Sequence, residues 1–92
     1  MIASFRHKGL KEFFETGSKR GISFDLAPRI SRRLDALQAA KELVDIEAHG
    51  FNLHRLKGDR HGEWAISVSG NWRITIRFTK AEVFDVSLED YH

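Results

Sequence analysis

The hydrophobic pattern of this chain switches once, near Gly50, from a repeat of about 3.6 residues to a repeat of 2, and a chain so patterned folds as helices followed by strands. Ahead of the switch, Leu10, Phe13 and Phe14 share one face at i, i+3 and i+4, which predicts a helix over residues 9–16 stopped by Gly17. Ala27, Ile30, Leu34, Leu37 and Ala40 form the apolar stripe of a second helix. Its expected N-cap is Asp25, and Pro28 falls in its first turn, where a missing N–H has no intrahelical acceptor to lose. Arg29, Arg32 and Arg33 lie off that stripe as a basic patch, and residues 43–48 fit one more helical turn. Residues 1–6 read as a short strand.

Beyond Gly50, Trp64, Ile66 and Val68 alternate with Glu63, Ala65, Ser67 and Ser69, and Trp72, Ile74, Ile76 and Phe78 alternate with Asn71, Arg73, Thr75 and Arg77. Gly70 and Asn71 suit a tight hairpin between these two strands. Phe84, Val86 and Leu88 continue the pattern in a last strand, and residues 51–56 supply one before the loop 58–62. The expected fold is therefore α+β, in the order β-α-α-β-β-β-β. An N-terminal strand and two helices pack on one face of an antiparallel sheet, and the other face, carrying Arg73 and Arg77, stays polar. With 92 residues the expectation is a single domain spanning 1–92.

Composition then removes whole classes of chemistry. The chain has no cysteine, so disulfides, thiolate nucleophiles and sulfur-ligated metals are excluded. It has neither a signal-peptide-like opening nor an apolar run near the ~20 residues that span a bilayer, and a cytoplasmic location away from membranes is expected. The net charge of +2 hides an uneven distribution: +5 over residues 6–33, −3 over 34–50, +3 over 51–77 and −3 over 78–92. Two cationic stretches suit a polyanionic partner, although blocks of this size also occur as plain solvated surface.

A cationic sheet face without cysteine suits RNA cleavage, because RNA carries its own nucleophile in the 2′-hydroxyl. The protein has to supply a base, an acid for the departing 5′-oxygen, and cations for the phosphate charge. His54, Lys57, Arg73, Asp90, Tyr91 and His92 all lie within or at the ends of the predicted sheet and could fill those roles. Each also has a plain reading. His54 fits a half-buried strand residue, Lys57 a turn residue, and Asp90, Tyr91 and His92 a frayed terminus. The five histidines, His7, His49, His54, His61 and His92, lack metal-ligand spacing, and the loop 58–62 lacks the Gly-Lys-Ser/Thr ending of a phosphate loop; neither a metal nor another cofactor is expected.

Four strings, SFRHKGLKEFFETG at 4–17, LHRLKGDR at 53–60, GNWR at 70–73 and EDYH at 89–92, together resemble the HigB toxins of HigB–HigA toxin–antitoxin modules, in the RelE superfamily. The resemblance covers nearly the whole chain and implies the RelE-like, microbial-ribonuclease type of fold. It implies a metal-independent, ribosome-dependent endoribonuclease, an mRNA interferase, that cuts messenger RNA in the decoding site of the small ribosomal subunit. A HigA-type helix-turn-helix antitoxin would neutralise it, and operator DNA would be contacted only through that antitoxin. By the same resemblance His54 and His92 move protons, Lys57 and Arg73 stabilise the phosphorane, Asp90 orients a neighbour, and Tyr91 stacks on a base or bonds the phosphate. Arg29, Arg32, Arg33 and Arg77 would meet RNA or the ribosome. A module of this fold that binds RNA without cutting, and a regulatory subunit of a toxin–antitoxin repressor, remain alternatives. The turn Thr79-Lys80-Ala81-Glu82 departs from the family in lacking a glycine common there.

Overall fold

The computed structural model describes residues 1–91. Helix α1 (Lys8–Thr16) starts where the His7 ring Nδ1 accepts the Leu10 N–H at 3.0 Å and ends at Gly17, whose φ of 81° closes the helix through a bond to the Phe13 carbonyl. The expected Asp25 cap does not form. Phe24–Leu26 makes a 3₁₀ turn that runs straight into α2 (Ala27–Ala39), so Leu26 holds the cap position already in helical conformation, with Pro28 in the first turn as expected. The short α3 (Leu43–Glu47) is held by a reciprocal capping box between Glu42 and Asp45.

Four antiparallel strands follow: β1 (His54–Arg55), β2 (Trp64–Ser69), β3 (Trp72–Thr79) and β4 (Glu82–Asp90), adjacent in that order. Leu10, Ile30, Leu34, Leu37 and Ile46 from the helices pack on Ile66, Ile74, Ile76, Val83, Val86 and Leu88 from the sheet, with the helices on the face that the alternation assigned to them. The α+β class is as expected.

Three local departures have physical causes. The first strand is only two residues long, because Asn52 sits at φ 58° and breaks the extended run of 51–56. The N-terminal segment is a discontinuous strand: it runs parallel to β4 through the Ile2–Val83 and Phe5–Val86 bridges only. Between those bridges β4 bulges at Asp85, which lies at φ 54° and whose N–H donates instead to the Ser4 Oγ at 2.9 Å.

That bulge also corrects the reading of the last strand. Val83 pairs with Phe78 and is buried, whereas Phe84 pairs with Arg77 on the polar side, and the parity recovers so that Val86 and Leu88 return to the core. A second register shift, between Ser67 and Ser69, pairs Ser69 with Trp72 and turns it to the helix side, where its Oγ accepts from Arg29 Nη1 at 3.2 Å.

The β3–β4 turn confirms that a glycine is wanted. Lys80 and Ala81 occupy its two central positions at φ 48° and 67°, the mirror-type turn that matches strand twist but strains residues with a Cβ. Ala81→Gly is expected to stabilise the fold by about 0.5–1 kcal/mol, a melting temperature roughly 4 °C higher, measured by thermal denaturation. No gain would mean that the turn relaxes at no energetic expense.

Candidate active site

Arg73 and Glu89 face each other directly across β3 and β4, on the side of the sheet away from the helices. Arg73 Nε donates to Glu89 Oε1 at 2.8 Å. The guanidinium also lies 4.0 Å from the centre of the Tyr91 ring, a cation–π stack, and the Arg73 side chain is only 13% exposed. Tyr91 is brought there by its N–H, which donates at 3.0 Å to the Asn71 carbonyl in the β2–β3 turn. The carboxy-terminal tail is thereby folded back over Arg73 as far as Tyr91. His92 lies outside the described residues.

Around this pair runs an arginine–carboxylate array that sequence reasoning missed. Arg60, from the β1–β2 connection, donates through Nη1 to both Glu89 oxygens at 2.7 and 2.9 Å, and through Nε and Nη2 to the two Glu63 oxygens at 3.2 and 3.0 Å. Glu63, 7% exposed, is approached further by Arg6 at 3.8 Å and Arg77 at 4.0 Å. Arg6 and Arg77 also meet Asp85, at 3.8 and 3.7 Å. The polar face is therefore not open at its centre: Glu63, Ala65 and Thr75 are buried, and the Thr75 hydroxyl has no hydrogen-bond partner among the described residues. A signal for the array was available, since Glu63, Arg73, Arg77 and Glu89 all carry the outward parity of paired strands. Arg60 ends the string at 53–60 but had no parity signal, as it sits in a connection whose path no periodicity describes.

The hydrogen bonds from Arg60 hold the Glu63 carboxyl below the usual carboxylate range despite burial. For Glu89 burial alone would raise the value, but the bonds from Arg60 and Arg73 outweigh it and the carboxyl is also lowered. Groups whose folded values are depressed stabilise the fold fully above their unfolded value of about 4.3, and that stabilisation is lost as pH falls through the folded values. In urea titrations Glu63→Gln should therefore be clearly less stable than the parent at pH 7, with the gap narrowing below about pH 4. A gap independent of pH would mean that the ion pairs contribute nothing and that only packing was lost.

His54 pairs with Ala65, which pairs with Thr75, so its backbone lies at the edge of the same polar face. Its Nδ1 is 2.8 Å from the Asn52 carbonyl. A carbonyl only accepts, so Nδ1 carries the proton and, in the neutral ring, Nε2 keeps the lone pair. Lys57 is exposed, just before Gly58, whose φ is 68°. The strand ends at Arg55, so the alternation that would send His54 and Lys57 to opposite faces does not extend between them. Asp90 pairs with Trp72 and so has the parity of the helix-covered face, opposite to Glu89.

The helix patch divides. Arg32 is exposed, but Arg33 is half-buried, donating through Nε to the Ser67 carbonyl at 2.6 Å and lying 4.3 Å from the Phe51 ring. It does not simply face away from the stripe, because past the short β1 the Ser67 carbonyl on the β2 edge needs a donor. Burial, then the neighbouring Arg32 and Arg29, lower the Arg33 value. Among the described residues no group of three or more His, Asp and Glu side chains converges as metal ligands would, and no helix is long and apolar enough to cross a membrane.

Helices on one face of an antiparallel sheet, with a stacked arginine, an oriented imidazole and a folded-back tail on the other, define a small α+β protein whose polar sheet face gathers cationic and titratable side chains. The family model for the RelE-like toxin of the type II toxin–antitoxin system HigB matches residues 3–92. Endoribonuclease HigB of Proteus vulgaris is 45% identical over 92 residues, covering 100% of both chains. The chain belongs to the HigB-like toxins of type II toxin–antitoxin systems, as the four sequence strings implied, and such a toxin has an antitoxin partner.

Proposed function

We propose that this toxin is a metal-independent endoribonuclease that cuts messenger RNA in the decoding site of the ribosome and is silenced in the cytoplasm by a HigA-type helix-turn-helix antitoxin, through which alone it meets operator DNA. The observation that carries the reading is Arg73, held on one edge by Glu89 and on its face by Tyr91, on the polar side of a sheet whose His54 has a fixed tautomer. A phosphate bonded to Arg73 has its developing charge stabilised in a partly dehydrated site.

In this reading the 2′-hydroxyl of the RNA attacks its own phosphate and the 5′-oxygen leaves. One of His54 and His92 takes the hydroxyl proton and the other supplies one to the leaving oxygen. Lys57 adds a second cation to the phosphorane, and Asp90 tunes a neighbour in the tail. Tyr91 stacks on a base or bonds the phosphate. Arg32, with Arg29, Arg33 and Arg77 in lesser part because each already bonds or ion-pairs within the protein, contributes to ribosomal RNA binding. The name of the Proteus vulgaris relative supports the class of reaction.

The test is a translation assay on a defined message with the full chain. Cleavage within codons that persists with a chelator and stops when ribosomes are omitted is the expected result. A translation block with intact message would overturn it in favour of a binding module, and metal-dependent or ribosome-independent cutting would overturn those parts of the reading.

A further inference from the structure

Arg73 alone does not determine where its guanidinium sits. An arginine side chain has many rotamers, and ordering it only when substrate arrives opposes the reaction. Here Nε is taken by Glu89 and the ring of Tyr91 covers one face. Glu89 is itself held at both oxygens by Arg60 Nη1, while the opposite edge of Arg60 is held by both oxygens of Glu63. Glu63 is the buried end of this chain of contacts, and Arg60 links it to the β4 carboxylate that meets Arg73.

We propose that Arg60 and Glu89 are positioning residues: Arg60, anchored on Glu63, holds Glu89 so that Arg73 meets the RNA phosphate already oriented. The proposal rests on the reading of this face as the cleavage site. Arg60 is poorly suited to bind phosphate itself, because its Nε, Nη1 and Nη2 all already donate to carboxylates. Glu89 is also no mobile stand-in for phosphate, since leaving Arg73 would mean pulling against two further bonds from Arg60.

The experiment is single-turnover cleavage of ribosome-bound message by the full chain, alongside the amide and guanidine proton–nitrogen spectrum of the free protein. Arg60→Gln is expected to lower the maximal rate about ten- to a hundredfold with half-saturation unchanged, and to lose the protected Arg73 Nε–H signal. Glu89→Gln keeps a carbonyl acceptor for Arg73 and should retain most of the rate, whereas Glu89→Ala should fall like Arg60→Gln. In an Arg73→Ala background Arg60→Gln should have no further effect. An additive loss, a raised half-saturation at unchanged maximal rate, or a faster Glu89→Ala enzyme would overturn the relay. If Arg60→Gln shows no cooperative melt, the two Glu89 variants decide the matter. Wild-type protein that cuts nothing while its Arg73 Nε–H signal depends on Arg60 would sink the cleavage reading and leave the relay geometry standing.

Discussion

Arg73→Ala is expected to reduce cleavage of ribosome-bound message by at least about a hundredfold, the scale seen when one preorganised donor to a developing oxyanion is removed. Its loss leaves Glu89 gripped by Arg60 through two bonds, so no buried carboxylate is orphaned and stability should fall only modestly, by about 1 kcal/mol. Arg73→Lys should remain strongly impaired, because an ammonium keeps the charge but neither stacks flat on Tyr91 nor offers a fork to a phosphate. Single-turnover rates at saturation, together with ribosome co-sedimentation, check this. Retained binding with lost cleavage is the expected outcome, and lost binding would make Arg73 a docking residue.

Removing either histidine should be as severe. His54→Ala and His92→Ala are each expected to slow cleavage by at least about a hundredfold, the usual share of a proton-transfer group. For His54 the Asn52 carbonyl commits Nδ1, leaving Nε2 as the position that exchanges a proton with substrate. A message with sulfur replacing the 5′-oxygen at the cut separates the roles, since a thiolate departs without an acid. The variant whose rate this message restores lacks the acid, and the one it fails to restore lacks the base. If His54→Ala cleaves ordinary message normally, His54 is a strand residue and nothing more. A 2′-deoxy sugar at the cut should abolish cleavage by every variant, and a cut there would exclude the 2′-hydroxyl as nucleophile.

The parts of the site legible in the sequence are those tied to strand parity. Arg73 projects from the face opposite Trp72 and Ile74, as its place in the alternation requires, and Tyr91 meets it because the tail continues directly from a strand paired with β3. Parity misled where a residue was inserted: the bulges at Asp85 and near Ser67/Ser69 moved Phe84 to the polar side and Ser69 to the helix side. A bulge is a single positive-φ or unpaired residue, and Asp85 carries no glycine to announce it.

Residue order alone determined the α+β class, the helix-covered face, the tight hairpin at Gly70-Asn71 and the parity of Arg73, because each depends on repeats and turn residues within about 11–18 neighbouring positions. Only the tertiary structure decided that Arg60 reaches Glu89 across 29 positions, that Glu63 gathers Arg6, Arg60 and Arg77, and that Arg33 caps an edge carbonyl of β2. Such contacts join residues whose separation in the chain has no period, and they form where loop path and strand register bring donors and acceptors together, with Glu63 as the buried member of the charge cluster.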